Sequence, residues 1–354
     1  MGVVLQLGAD AVIRILQGDC RQVLKTLPDE SVHCCVTSPP YFGLRDYGMA
    51  EQIGLEQTPD AFVAELVAVF QEVRRVLRGD GTLWLNLGDS YANDTKWGGQ
   101  TSGKHVRAQH GDTGIGRRCQ NTGLKSKDLI GIPWRVAFAL QADGWYLRQD
   151  IIWSKPNQMP ESITDRCTKA HEYVFLLSKA PHYYFDADAI AEPVAPASVA
   201  RLAQDVGAQA GSMRVPGKTN GAMKAVGSKR NSFARATKET AGEHGQKPQH
   251  RPDREDVDYT GMRNKRSVWT IATKPFKEAH FATMAPELAE NCIKAGCPIG
   301  GTVLDPFGGA GTTGLVADQI QRDAILIELN PDYTDIAERR IQGDSPLFVQ
   351  MSGA

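Results

Sequence analysis

The stretch TVLDPFGGAGTTG, residues 302–314, reads as an apolar strand ending on Asp305, a tight glycine turn and the start of a helix. Such a βα junction aims backbone N–H groups and a helix N-terminus at a nucleotide or similar ligand. The absence of a Lys after the glycines excludes a phosphate-binding Walker A loop. Gly309, Gly311 and Gly314 satisfy GxGxxG, and Glu328 follows Gly309 by 19 residues at the end of the next apolar run, DAILIE. A carboxylate there can chelate a ribose diol, so the stretch alone suits a dinucleotide as well as any other adenosine cofactor. Pro306-Phe307 between strand and glycines, and only 40 residues after Gly314, count against a dehydrogenase.

Working back along the chain, VHCCVTSPPYFGLRDYG (residues 32–48) is a second strand that ends on a distinctive turn. Two consecutive prolines fix the backbone and remove two N–H donors, leaving carbonyls as acceptors. Ser38 adds a hydroxyl and Tyr41 an aromatic face. A planar base with an exocyclic amino group fits this set: Ser38 Oγ and the Pro39 carbonyl hold its hydrogens, and Tyr41 stacks on the ring.

Further strands are expected at 12–17, 82–87, 147–153 and 172–178. A helix is expected over 59–78, with Phe62, Leu66, Phe70, Val73 and Leu77 on one stripe, Thr58-Pro59 as its start and Gly79 as its stop. Residues 283–296 and 331–342 read as further helices. Alternating strands and helices predict an α/β fold with a doubly wound, mostly parallel sheet. Two stretches poor in apolar runs, 92–127 and 187–267, look inserted.

The two motifs together resemble the S-adenosylmethionine-dependent DNA amino-methyltransferases. TSPPY is similar to that family's catalytic tetrapeptide and DPFGGAGTT to its cofactor loop, in the circularly permuted order of the β group. GDCRQVLKTLPDESV, KPNQMPESITDRCTKAHEYVFLLSK and EAHFATMAPELAENCIKAGCPIGGTVLDPF extend the likeness to about three-quarters of the chain. MAPEL departs from it, since Phe-Pro usually precedes the helix there. The resemblance implies a seven-stranded Rossmann-like sheet in three parts: 1–186 as the catalytic half, 187–267 as the target-recognition region and 268–354 as the cofactor-binding half. It implies S-adenosylmethionine as cofactor, with Asp305, Phe307, Gly309, Gly311 and Thr312 around it. Glu328 would take the ribose, Asp19 would lie near the adenine, and Phe281 and Thr283 near the amino-acid end. Asp19 is equally readable as a helix cap, as is Thr283. Ser38, Pro39, Pro40 and Tyr41 would act on a flipped-out base, with cytosine N4 favoured over adenine N6 because Ser precedes Pro-Pro-Tyr. Methylation of a ring carbon is rejected, because none of the seven cysteines follows a proline.

The net charge of −1 hides an uneven distribution. Residues 96–127 carry +6 and residues 201–270 carry +7, on a remainder of −14. Two basic segments on an acidic body suit double-stranded DNA, with Arg117, Arg118, Lys125 and Lys127 in one and Lys229 and Arg230 in the other as candidate contacts. At 41% apolar and 23% charged, with no long uncharged apolar run and no signal-peptide pattern, a cytoplasmic protein is expected. No metal site is read. A homodimer and a cognate restriction endonuclease are partners the resemblance brings with it. An NAD-dependent oxidoreductase is the remaining alternative, although TSPPY lacks the proton donor it would need.

Overall fold

The computed structural model describes residues 2–7, 11–44, 48–49, 51–92, 123–195, 262–274, 276, 284–344 and 350–351. The chain divides into two compact units, one made of Met1–Asp186 with Arg266–Ala354 and the other of Ala187–Lys265. The strands are β1 (Gly2–Leu7), β2 (Ala11–Gln17), β3 (Val32–Thr37), β4 (Leu77–Leu87), β5 (Tyr146–Ser154), β6 (His171–Ser178), β7 (Glu192–Pro193), β8 (Met262–Arg263), β9 (Val268–Thr270), β10 (Thr302–Asp305), β11 (Asp323–Glu328) and β12 (Gln350–Met351). The helices are α1 (Cys20–Val23), α2 (Pro59–Val76), α3 (Ile132–Ala142), α4 (Pro286–Gly296), α5 (Thr312–Gln319) and α6 (Pro331–Asp344).

The first unit is built on one sheet, in the order β12-β1-β2-β11-β10-β3-β4-β6-β5-β9. Its centre is the expected seven strands, β2 to β5. A β1–β12 pair at one edge and β9 at the other widen the sheet to ten. Strands β2, β11, β10, β3 and β4 run parallel, whereas β6 runs against both β4 and β5. After β10 the chain moves to its neighbour β11 on one side, and after β3 it moves to β4 on the other. The order therefore reverses between β10 and β3, where an open α/β sheet leaves a crevice at its carboxyl ends.

Buried stripes explain the helices. Phe62, Leu66, Phe70 and Val73 of α2 are fully buried, as the periodicity requires. Thr58 Oγ1 accepts from the Ala61 N–H at 3.1 Å and Pro59 opens the helix. The helix ends earlier than Gly79, however. Leu77 already pairs with Val32 as the first residue of β4, so the Gly-rich stretch 77–81 is extended strand rather than a stop. Helix α4 starts at Pro286 with Ala285 as its cap, later than the 283 expected. Helix α3, which the sequence reading does not anticipate, packs against α2. Within the second unit, β7 pairs with β8, and Arg263 Nε donates to Glu192 at 3.0 Å.

Candidate active site

The parallel strands deliver their last residues to one edge, and β6, running backwards, brings its first residues to the same edge. From one side this edge carries Asp19 after β2, Glu328 on β11, Asp305 on β10, Ser38 to Tyr41 after β3, Asn86 on β4, Glu172 on β6 and Lys155 after β5.

Asp305 joins the two halves. It is buried, and Thr37 Oγ1 donates to its Oδ1 at 2.6 Å while Thr313 Oγ1 donates to its Oδ2 at 2.7 Å. The Phe307 N–H donates to Oδ1 at 3.1 Å. One carboxylate thus fastens the residue before Ser38 to both ends of the glycine turn. Burial pushes the Asp305 carboxyl above the usual carboxylate range, against the pull of these three donors.

Gly311 is left-handed at φ 76°, and a Cβ there would come within 2.8 Å of Ala337 Cβ on α6. Only glycine lets α5 start this close to its neighbour. A Cβ on Gly309 would instead meet nothing nearer than 3.9 Å and would project into open space. The Gly309 N–H donates to Glu328 Oε2 at 2.8 Å, and the Asn330 N–H to Oε1 at 2.8 Å. Burial pushes the Glu328 carboxyl up, opposed by these amides. A carboxylate at a strand end, beside a glycine turn with free space above it, matches what an adenosine-bearing cofactor needs. Thr312 begins α5, and its Oγ1 accepts from Arg340 Nη1 at 2.9 Å. Arg340 also donates to the Ala310 carbonyl at 3.0 Å and lies 4.5 Å over the Phe276 ring. Phe307, at the mouth of the turn, is partly buried against the core.

Asp19 caps α1: its Oδ1 accepts from the Arg21 N–H at 2.9 Å, and its Oδ2 pairs with Arg21 Nη2 at 2.8 Å. The Gly18 N–H donates to the Glu328 carbonyl at 2.8 Å, which sets this cap beside the ribose candidate.

On the other side of the crevice, Pro39 is buried while Ser38, Pro40 and Tyr41 are half-exposed. The Tyr41 ring lies on Gly88, where a Cβ would fall 2.5 Å from the ring. Tyr41 OH donates to Glu172 Oε2 at 2.7 Å. Lys155 Nζ pairs with the other carboxylate oxygen of Glu172. Sequence reasoning does not single out Asn86, Gly88, Glu172, Lys155 or Arg340. The one signal it offers is polarity inside apolar strands, since Asn86 and Glu172 interrupt TLWLNL and HEYVFLLS.

Lys125 lies 3.6 Å from Asp128, and Lys127, at φ 71°, donates to Asp165 at 2.7 Å. Both lysines are exposed. Phe281, Thr283, Arg117, Arg118, Lys229 and Arg230 lie outside the described residues.

Known proteins share the sequence and the fold. The Type II methyltransferase M.Cfr9I of Citrobacter freundii is 41% identical over 343 residues, covering 96% of this chain and 91% of that protein. M.SmaI of Serratia marcescens, also a Type II methyltransferase, is 40% identical over 328 residues, covering 93% and 90%. Among solved structures, the cytosine-N4-specific PvuII DNA methyltransferase shares the fold at a TM-score of 0.56 and 18% identity, covering 96% of this chain and 97% of that one. A putative DNA modification methylase of Thermus thermophilus, solved with S-adenosyl-L-methionine, shares it at 0.51 and 22%, covering 95% and 97%. The oxidoreductase alternative falls with these matches. A family model described as DNA methylase, of the N6/N4 type, matches residues 32–339, and the chain belongs to that family of DNA methyltransferases.

Proposed function

We propose that the chain transfers a methyl group to N4 of a cytosine flipped out of double-stranded DNA, as the modification enzyme of a type II restriction–modification system. The methyl donor is S-adenosylmethionine, whose sulfonium supplies an electrophilic methyl and a neutral leaving group. The observation that carries the reading is the Asp305 tie, which sets the Ser-Pro-Pro-Tyr turn directly against the glycine turn. Donor and acceptor sites on adjacent strand ends bring the reacting atoms together, and positioning of this kind is a large source of rate enhancement.

The chain's own residues then do three things. Glu328 and the Gly309–Thr312 turn bind the donor. Ser38 Oγ and the Pro39 carbonyl accept hydrogen bonds from the two amino hydrogens, which favours a pyramidal nitrogen with its lone pair directed at the methyl group; once methylated, the nitrogen releases one of these two protons to solvent. Tyr41 stacks on the base, offsetting the few kcal/mol needed to take it out of the duplex. Ser38 in first position supports cytosine over adenine. The basic segments 96–127 and 201–270 supply phosphate contacts, and the unit Ala187–Lys265 supplies recognition of the site. Acting on DNA, the enzyme works in the cytoplasm, alongside a cognate endonuclease and with a homodimer as its assembly.

The test is incubation with DNA and labelled S-adenosylmethionine, digestion to nucleosides and mass spectrometry. N4-methylcytosine is expected. N6-methyladenine would overturn the base assignment, and no labelled nucleoside would overturn the function.

A further inference from the structure

Strand β6 is the reversed strand of the seven, so Glu172, at its start, meets the carboxyl ends of its neighbours. Its surroundings are unusual for a strand end. Glu172 and Lys155 are 16% and 12% exposed, so both charges are largely withdrawn from water. Withdrawal costs several kcal/mol per ion, and a packed apolar pair would hold a sheet edge as well or better. The ion pair therefore calls for a reason other than stability.

The hydrogen bonds supply one. Glu172 Oε2 accepts from Tyr41 OH at 2.7 Å and from Asn86 Nδ2 at 3.1 Å. Asn86 is itself fixed, because its Nδ2 also donates to the Tyr173 carbonyl at 3.2 Å. Lys155 occupies the other carboxylate oxygen and rests 4.2 Å over the Trp153 ring, so the carboxylate has no freedom to swing away. Tyr41 is thus held at two points, its ring on Gly88 and its hydroxyl on Glu172. Ser38 Oγ lies 3.5 Å from the same hydroxyl, which links the grip to the first residue of the turn.

We propose that Glu172 is a positioning residue for methyl transfer: with Lys155 and Asn86 it clamps the Tyr41 hydroxyl, so that the ring is already in place when the base arrives. This rests on the reading of Ser38–Tyr41 as the base-capturing turn. Tyrosine has only two side-chain torsions, and fixing both ends of it before binding leaves little ordering to be done at the moment of capture. A hydroxyl bonded to a carboxylate is held by the stronger, charge-assisted kind of hydrogen bond.

Glu172→Gln keeps the shape and removes the charge, while Tyr41→Phe keeps the ring and removes the hydroxyl. Each is expected to slow single-turnover methyl transfer about tenfold to hundredfold, the range of a hydrogen bond to a charged group. Calorimetric affinity for S-adenosylmethionine should stay at its original value in both, and Tyr41→Phe, which leaves the Glu172–Lys155 pair intact, should also keep the original thermal midpoint. The double variant should be no slower than the slower single one, because both changes break the same bond. Glu172→Asp, which withdraws the carboxylate by one methylene, should slow the original enzyme but not the Tyr41→Phe variant. Losses that multiply in the double variant, or a Tyr41→Phe enzyme at full rate beside a slow Glu172→Gln, would overturn the proposal. An original enzyme that methylates no DNA would instead overturn the functional reading before any variant is compared.

Discussion

Replacing Asp305 by alanine takes away, in one step, the acceptor for three donors that the fold has gathered around it. Thr37 and Thr313 are 0% and 1% exposed, so water cannot reach their hydroxyls once the carboxylate is gone. A buried donor left unpaired costs about 1–3 kcal/mol. Three of them, less the relief of no longer burying a carboxylate, give a net loss of about 2–5 kcal/mol, against a typical domain stability of about 5–15 kcal/mol. Asp305→Asn should behave differently. Its remaining oxygen can keep the Thr37 and Phe307 donors, and its amide can donate to Thr313 Oγ1, whose hydroxyl turns to a carbonyl of its own helix. That variant should lie within about 1 kcal/mol of the original. Urea unfolding followed by circular dichroism measures both, with a shifted midpoint at constant slope as the signature. Because Thr37 adjoins Ser38 and Thr313 sits on α5, the alanine variant should also lose methyl transfer and cofactor affinity together. Thr37→Val should hurt mainly the former and Thr313→Val mainly the latter. If alanine and asparagine are equally damaging, the charge itself matters and a hydrogen-bonded tie is the wrong account of Asp305.

Glu328→Ala should weaken S-adenosylmethionine binding by about tenfold to hundredfold in calorimetry. Since burial raises the Glu328 carboxyl, protonation on lowering the pH should begin earlier than for an ordinary carboxylate. Affinity should therefore fall as pH falls through that raised value, and Glu328→Gln should bind weakly with that dependence gone. Gly88→Ala puts a methyl group where the Tyr41 ring lies, so it should slow methyl transfer and leave cofactor affinity alone; equal rates would mean that the ring is not seated there in solution. Neutralising Arg117, Arg118, Lys125 and Lys127 should flatten the salt dependence of DNA binding by about 0.9 in log–log slope for each phosphate no longer neutralised, without changing the methylated site. A new site at an unchanged slope would transfer target recognition to this segment.

The central sheet is legible in the sequence because its strands are apolar runs closed by unmistakable turns, and the two turns that Asp305 joins follow such runs directly. Leu77 shows where that reading fails. It continues the helical stripe of α2 in spacing, yet it is the first residue of β4, because pairing with Val32 outweighs the local pattern and the glycines that follow it. Helix α3 escapes notice because IPWRVAFALQA is apolar almost all round and shows little periodicity. Asp19 reads as cap or cofactor contact, and its grip on the Arg21 N–H makes it a cap, one that lies beside Glu328. Of the Tyr41 clamp the sequence shows only the polar interruptions at Asn86 and Glu172. The clamp depends on Leu87 pairing with Tyr173, a register between strands far apart in the chain, and no local spacing announces which strand will run backwards.

The pairing of β2 with β11 sets an order of events during synthesis. The Val12 N–H donates to Asp323 Oδ1 at 2.8 Å across a separation of 311 residues. Closing so long a loop adds little to the thermodynamic cost, which grows only logarithmically with length. In time, however, it comes last. In a chain made from its N-terminus, β2 can pair at once with β1, but its other edge waits for β11, as β3 waits for β10. The sheet edge that carries Asp305 and Glu328 is complete only when β10 and β11 emerge. A chain interrupted before β10 lacks Asp305, and with it the tie that holds Thr37 to Thr313 and sets the Ser38–Tyr41 turn against the glycine turn.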